Sequence, residues 1–310
     1  MRLFLLFIPI LSLGIAVIFG SSPVSASELD LNANFAVLID YTTGQILYQK
    51  NAFVRRPPAS TTKILTSIIA IEKGNLQRTV IASRNASRAD GSSIYLKTGE
   101  AHSLKELLYG ILLNSGNDAS IAVAEDLAGS EPKFAEWMTT KAHQIGAIDS
   151  NFKNCNGLPA REHYSTAYDL AVIARYALHN PVFADMVGTK RKLIPWPGNS
   201  SERIFVNHNK LLWRYQFADG VKTGYTEEAG GCLVSSATKG GHRLIAVVLK
   251  SKDIYGDSTQ LFDYGFENYQ LLTTVIPFRV NAARVSPALH RVINPATYAH
   301  IPEKNLKRAN

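Results

Sequence analysis

Ala218-Asp219-Gly220-Val221-Lys222-Thr223-Gly224-Tyr225 leads through a turn at Ala229-Gly230-Gly231 into Cys232-Leu233-Val234-Ser235-Ser236-Ala237-Thr238, and Lys239-Gly240-Gly241-His242 leads on into Arg243-Leu244-Ile245-Ala246-Val247-Val248-Leu249. Apolar runs bounded by glycine pairs read as successive strands, with the Lys239 to His242 step as a hairpin connection. Near the other end of the chain, Phe35 to Asp40 and Gln45 to Tyr48 flank Thr42-Thr43-Gly44 and read as a second hairpin. Helical patterns fill the interval, at about 59 to 73, 103 to 113, 117 to 128, 131 to 145 and 166 to 179. A run at 203 to 207 is expected to return to the sheet, and a helix near 257 to 270 to complete it. Strands at both ends around a helical middle indicate an α+β fold, with an antiparallel sheet joining the N- and C-terminal parts and flanked by helices.

Lys222-Thr223-Gly224 therefore sits on or beside a sheet, where a pocket wall can form. Together with Ser60-Thr61-Thr62-Lys63 and Ser115-Gly116-Asn117 it supplies a hydroxyl nucleophile, an amine to deprotonate it and a cationic Lys-Thr pair able to hold a carboxylate. Each motif is short, and about one or two S-x-x-K matches are expected by chance in a chain of this size. Four occur, at Ser60/Lys63, Ser130/Lys133, Ser150/Lys153 and Ser236/Lys239, so context has to choose.

Ser60 follows Pro57-Pro58-Ala59 and opens the apolar run Ile64, Leu65, Ile68, Ile69, Ile71, which closes at Lys73-Gly74. Proline near a helix start and glycine past its end place Ser60 in the first turn of a buried helix, with Lys63 one turn on along the same face. The rivals lack that setting. Ser130 before Glu131-Pro132 reads as a helix cap, Ser150 lies in a polar loop, and Ser236/Lys239 spans a strand end and its turn. A second K-T-G, Lys97-Thr98-Gly99, precedes the capping-box pattern Ser103-x-x-Glu106 and reads as a surface turn.

A serine hydroxyl is a poor nucleophile at neutral pH, and no histidine here stands in a recognisable nucleophile motif, so Lys63 is the candidate base. Bringing a lysine from about 10.4 to the 7 to 8 range of an effective base requires roughly 4 kcal/mol of destabilisation of its ammonium. Burial under the apolar helix and a second cation nearby, Lys222, both act in that direction.

The order S-x-x-K, S-G-N, K-T-G, with Pro58-Ala59 before the first and Asp118-Ala119 after the second, resembles the low-molecular-mass penicillin-binding proteins, the serine-type D-alanyl-D-alanine carboxypeptidases. Leu107 to Asn114, Asn156-Gly157-Leu158-Pro159, Tyr164 to Ala171 and Gly220 to Gly230 match as well, so the similarity runs from about Phe35 to about Leu272. The resemblance implies a penicillin-binding/β-lactamase-like fold, with a helical subdomain across the cleft from the sheet. It implies that Ser60, Lys63 and Ser115 are catalytic, Ser115 relaying a proton to the departing amine. Asn117 would hold the substrate backbone, and Lys222 and Thr223 its terminal carboxylate, while Gly224 would allow close approach to the strand. The oxyanion hole would be the backbone N–H groups of Ser60 and Tyr225. The implied substrate is a peptidoglycan stem peptide ending in D-Ala-D-Ala, with β-lactams as inhibitors.

No metal or other cofactor is expected: the histidines are scattered, H-E-x-x-H is absent, and Cys155 and Cys232 lack a nearby His or Cys. The cysteines read as two partly buried thiols, a disulfide being the alternative in an oxidising compartment. Export is expected, because Arg2 precedes an apolar stretch from Leu3 to Phe19 and Val24-Ser25-Ala26 suits cleavage before Ser27. Residues 1–26 thus read as a signal peptide, with a retained membrane anchor as the alternative. Removing Arg2 leaves 32 basic against 25 acidic residues, a charge of about +7 that favours anionic wall polymers or membrane surfaces. Nucleic acid is excluded as a partner by the missing zinc pattern, the lack of basic-aromatic repeats and the export signal.

Residues 27–273 form the expected transpeptidase-like catalytic domain, and 274–310 a short basic tail. Many relatives continue into a β-rich domain and an amphipathic helix, whereas this tail carries Pro277, Pro287, Pro295 and Pro302, which oppose a long helix. Its basic residues read as solvated more readily than as a membrane attachment. Two other functions share the motifs. A β-lactamase needs a carboxylate to activate water, and no E-x-x-L-N stretch stands between Asn117 and Lys222. A β-lactam sensor or wall-binding protein would acylate without turnover.

Overall fold

A computed structural model describes residues 29–198 and 201–269, so the expected signal peptide and the 274–310 tail lie outside the described residues. The chain enters as a hairpin, β1 (Phe35–Asp40) and β2 (Ile46–Lys50), then passes through a 3-10 turn at Ala59–Thr62 into α1 (Lys63–Lys73). A small antiparallel pair follows, β3 (Thr79–Ile81) and β4 (Ala101–Ser103), with its long connection between. Next come α2 (Leu104–Asn114), α3 (Asn117–Ala128), α4 (Glu131–Gln144), α5 (Ala167–Leu178) and α6 (Pro181–Gly188). A second hairpin, β5 (Arg191–Ile194) and β6 (Arg203–Val206), leads through α7 (Leu211–Arg214) to β7 (Ala218–Thr226), β8 (Gly230–Lys239), β9 (His242–Ser251) and α8 (Ile254–Asn268).

The main sheet is antiparallel in the order β2-β1-β9-β8-β7, so the first and last strands of the fold meet at β1 and β9. Side chains alternate across it, as the strand period of two requires. Val37, Ile39, Ile245 and Val247 face the core under α1 and α5, while Leu38, Leu244, Ala246 and Val248 face α8. Gly265 of α8 lets that helix lie directly on the sheet, since a Cβ there would come within 2.5 Å of Leu244 and 2.7 Å of Leu38. Lys239 pairs with His242 across Gly240-Gly241, both with positive φ, which is the two-residue hairpin read from sequence.

The strand at 203–206 does not join the main sheet. It pairs with Arg191–Ile194, which sequence reading passed over, in a separate two-stranded arm. The pair is short, and Arg191-Lys192-Leu193-Ile194 shows no alternation of polar and apolar residues, so β5 carries no strand period in its sequence. Helix ends follow the local chemistry: Ser103 and Glu106 form the capping box, Ser130 accepts from Lys133 N–H, and Thr166 accepts from Asp169 N–H. Ser150, read as part of a polar loop, is buried and hydrogen-bonded to Ser165 and Asp169.

Helix α1 is the centre of the molecule, with every residue from Lys63 to Ala70 buried. Ile64, Leu65, Ile68 and Ile69 each contribute about 1.5–3 kcal/mol by leaving water. That burial holds Lys63, the most unusual member of the set, at 0% exposure. Among the described residues no helix is long and apolar enough to cross a membrane.

Candidate active site

The site is built where the turn before α1 meets the edge strand β7. Ala59 takes a positive φ of 48°, and the chain then tightens into the 3-10 turn that carries Ser60. Because the helix begins at Lys63, the two side chains are three residues apart and meet directly: Lys63 Nζ lies 3.0 Å from Ser60 Oγ. The other neighbours of Nζ come from far along the chain. Asn117 Oδ1 is 2.7 Å away and the Asn156 carbonyl oxygen 2.5 Å.

These three contacts have a chemical consequence. Asn117 Oδ1 and the Asn156 carbonyl can only accept, so each takes an N–H of Lys63 whatever its protonation state. The remaining tetrahedral direction of Nζ points at Ser60. An ammonium donates there; a neutral amine presents its lone pair to the serine O–H. Burial, reinforced by the charge of Lys222, holds the Lys63 pKa well below its ordinary value. Burial alone brings Lys222 down to about 7.

Lys222 is buried on β7 and donates to the Thr223 carbonyl at 2.9 Å, and Thr223 is half-buried beside it. Gly224 is packed tightly against the nucleophile turn. A Cβ at this position would stand 2.9 Å from Ser60 N and 3.1 Å from both Ala59 Cβ and Thr61 N. The close approach is therefore strand to nucleophile turn, and it brings the start of the Gly224–Tyr225 peptide beside the Ser60 amide. The Tyr225 side chain itself is exposed.

Ser115 ends α2 in the left-handed conformation, with φ 62° and ψ 29°, and its buried Oγ has no hydrogen-bond partner. Two residues on, Asn117 opens α3. Its side-chain amide is committed on both ends, Oδ1 to Lys63 and Nδ2 to the Asp90 carbonyl at 2.6 Å, which ties the 90–96 segment to the site. Asp118 continues that clamp by accepting from Ser93 Oγ, Ile94 N and Leu96 N.

Sequence reading missed a floor made by residues 154–158. Asn154 Oδ1 accepts from the Asn156 and Gly157 amides, and its Nδ2 donates to the Leu158 carbonyl. Glu131 Oε1 accepts from Cys155 N and Cys155 Sγ, both at 3.2 Å, and from Asn156 Nδ2 at 3.5 Å. Thr66 Oγ1 of α1 donates to the Cys155 carbonyl at 2.7 Å. Gly157, at φ +87°, presses on the nucleophile turn so closely that a Cβ would fall 1.9 Å from the Ala59 oxygen. Only the match at Asn156 to Pro159 had pointed to this loop. His163 supports the turn from the other side: Nδ1 accepts from Lys153 N, so Nε2–H donates to Thr62 Oγ1 at 3.1 Å. Burial lowers its pKa to about 4, consistent with that neutral tautomer.

The structure thus brings Ser60, Lys63, Asn117, Lys222 and Gly224 together, with Ser115 on the loop that carries Asn117 and Thr223 and Tyr225 on the strand that carries Lys222. The rival motifs stand apart from the site: Ser236 Oγ is bonded to Asp219, and Lys97-Thr98-Gly99 is an exposed turn. Both cysteines are free and buried. Among the described residues no His, Cys, Asp or Glu cluster could hold a metal ion.

A family model described as D-alanyl-D-alanine carboxypeptidase matches residues 22–253. The chain is 41% identical to the D-alanyl-D-alanine carboxypeptidase DacF of Bacillus subtilis, a match covering 79% of this chain and 64% of that protein. It is 36% identical to the carboxypeptidase DacB2 of Mycobacterium tuberculosis, covering 80% of this chain and 85% of that one. A solved D-alanyl-D-alanine carboxypeptidase from Mycobacterium tuberculosis superposes with a TM-score of 0.74 at 32% identity, covering 81% of this chain and 96% of that one. A mutant of a Streptomyces DD-transpeptidase gives a TM-score of 0.74 at 33% identity, covering 77% and 100%. The chain spans about two thirds, 64% and 66%, of the lengths of DacF and the Escherichia coli DacD.

Proposed function

Because this chain belongs to the D-alanyl-D-alanine carboxypeptidase family, we propose that it removes the terminal D-alanine of peptidoglycan stem peptides through an acyl-enzyme on Ser60, outside the cytoplasmic membrane. The observation that carries this reading is the environment of Lys63 Nζ, where two acceptor-only oxygens leave one direction free for Ser60 Oγ at 3.0 Å.

In this mechanism the neutral Lys63 takes the Ser60 proton as Oγ attacks the carbonyl of the penultimate D-alanine. Charge developing on the carbonyl oxygen is met by the Ser60 and Tyr225 N–H groups, each such donor being worth about a hundredfold or more in rate. The fit of Gly224 against Ser60 N supports that pairing, since it holds the two backbones at a fixed separation. The departing amine receives its proton through Ser115, whose buried Oγ lacks a protein partner and is free to relay. Lys222 and Thr223 take the terminal carboxylate. An ammonium near pKa 7 in the empty site is raised by the arriving anion, so binding and charging of Lys222 reinforce each other. Water then hydrolyses the ester. β-Lactams acylate the same oxygen and serve as inhibitors. Residues 27–273 are the catalytic domain of this proposal, with 1–26 an export signal and 274–310 a short basic tail.

The test is incubation with a labelled stem pentapeptide and, separately, a penicillin, read by mass spectrometry. Released D-alanine and a covalent adduct on Ser60, both lost in Lys63→Ala, are expected. Rapid penicillin hydrolysis, or an adduct without D-alanine release, would replace the proposal with the β-lactamase or the sensor reading.

A further inference from the structure

Helix α4 stands off from the segment that leads into the floor of the site, and the space between them is a groove of about 420 Å³, within the range of small-ligand sites. Ala135 and Thr139 lie four residues apart on one face of α4, and their short side chains leave the hollow against Asn151, Phe152 and Lys153. Hydrogen bonds fix the far wall. Thr139 Oγ1 accepts from Phe152 N at 3.0 Å and donates to the Phe152 carbonyl at 3.3 Å. The Asn151 backbone is bonded in both directions to Tyr164, each time at 2.9 Å. Both walls are therefore in place before any ligand arrives, and the acyl-transfer chemistry at Ser60 makes no use of the space between them.

The lining selects the kind of ligand. One acid, Glu136, and one base, Lys153, stand on the groove, so it carries no net charge, and Glu136 is already paired with Lys133 at 2.9 Å. A strongly charged ligand has no complement there. Thr139, Thr140 and Asn151 offer neutral donors and acceptors, while Pro132 and Ala135 offer small apolar surfaces between them. Hydroxyl and amide groups alternating with C–H faces are what an acetamido sugar presents in return. Thr140, which is exposed, also lines a second hollow of about 330 Å³ on the other flank of α4, where Trp137 and Gln144 stand. From Pro132 to Gln144 the two hollows follow α4 for about 18 Å, a run suited to a chain of linked sugars.

We infer that the α4 grooves bind the glycan strand of the wall polymer, a linear chain of N-acetylhexosamines, at a site separate from Ser60. The inference rests on the proposed function for the reason such a strand is at hand, but the binding itself needs no acyl-enzyme. Asn156, whose carbonyl touches Lys63, is four residues beyond Phe152, at most about 14 Å along the chain. An extended stem of five residues spans up to about 17 Å, a length of the same order. Holding the strand makes the arrival of its stem peptides an intramolecular event and raises their local concentration.

The experiment is calorimetric titration of the full chain with an N-acetylglucosamine tetrasaccharide, repeated with Thr140→Trp, which fills the saddle between the hollows. Thr98→Trp, on the exposed Lys97-Thr98-Gly99 turn, controls for an added indole. The full chain and Thr98→Trp should bind alike, and Thr140→Trp about tenfold or more weakly, a loss of about 1.4 kcal/mol. Acylation by a fluorescent penicillin should be the same in all three. Binding should also persist once penicillin occupies Ser60, because the cleft is then filled and the grooves are not. Absence of binding, equal binding by Thr140→Trp, or loss of binding on acylation would overturn the inference and leave the carboxypeptidase reading intact. Failure of Ser60 to acylate would overturn that reading instead, while the Thr140 comparison would still decide the grooves.

Discussion

Gly157→Ala is a substitution outside the S-x-x-K, S-G-N and K-T-G motifs that should disable acylation. Two effects combine there. The position sits at φ +87°, where a residue with a side chain costs roughly 1–2 kcal/mol. The new methyl would also lie 1.9 Å from the Ala59 carbonyl oxygen and 2.4 Å from its carbon, both backbone atoms. Reaching ordinary contact at 3.4 Å requires a displacement of about 1.5 Å, and the mobile partner is the peptide that carries Ser60 N. The same loop holds the Asn156 carbonyl against Lys63, so the nucleophile and its base are displaced together. A 1 Å error in reactive geometry costs about a hundredfold in rate. Acylation by a fluorescent penicillin, followed by stopped flow, should therefore slow by about a hundredfold or more. Gly129→Ala is the control, because Gly129 has a φ of +81° with nothing within 4 Å of its Cβ position. It should lower Tm by about 2–4 °C for each kcal/mol of strain and leave acylation alone. Normal acylation in Gly157→Ala would refute the argument that this loop sets the geometry of Ser60; equal loss in Gly129→Ala would show that backbone strain, not the contact, is responsible.

Further outcomes follow from the titrating groups and from the floor of the site. For substrates that end in a carboxylate, kcat/KM should decline as the pH rises through about 7, where Lys222 loses its charge in the empty site, whereas amide or ester analogues lacking that carboxylate should show no such decline. His163 has a pKa of about 4 in the folded protein against 6.5 ordinarily, so the unfolded chain binds more protons between those values. Its contribution of about 3 kcal/mol is present above pH 6.5 and lost as the pH falls towards 4, and urea unfolding of wild type against His163→Gln should show the variant with the flatter profile. Glu131→Ala strips the Cys155 and Asn156 donors of their shared acceptor and should slow acylation about tenfold, with Glu131→Gln recovering most of it, since a lost buried partner is worth about 1–3 kcal/mol.

Local chemistry was legible along the chain. The three-residue step from Ser60 to Lys63, the Ser103–Glu106 capping box and the Gly240-Gly241 hairpin each depend on neighbours in sequence, and each stands where the residues placed it. The apolar run after Ser60 likewise announced a buried helix, because a helical period with no polar face has nowhere else to go. Resemblance added the order of the motifs. What stayed hidden were contacts made by backbone atoms at long range. Asn156 reaches Lys63 across 93 residues through a carbonyl oxygen that every residue type possesses. Gly157 and Gly224 matter for the side chain they lack, and the reason for that lack is visible only once the 59–61 turn is beside them. The β5–β6 arm was misassigned because a strand's pattern of exposure says that it pairs, and not with which partner. Which groups could do acyl transfer, and which segments could be helix or strand, follow from residue type and spacing along the chain. The protonation geometry of Lys63 arises in the folded molecule, because burial and the direction of two distant acceptors are properties of packing and have no local code.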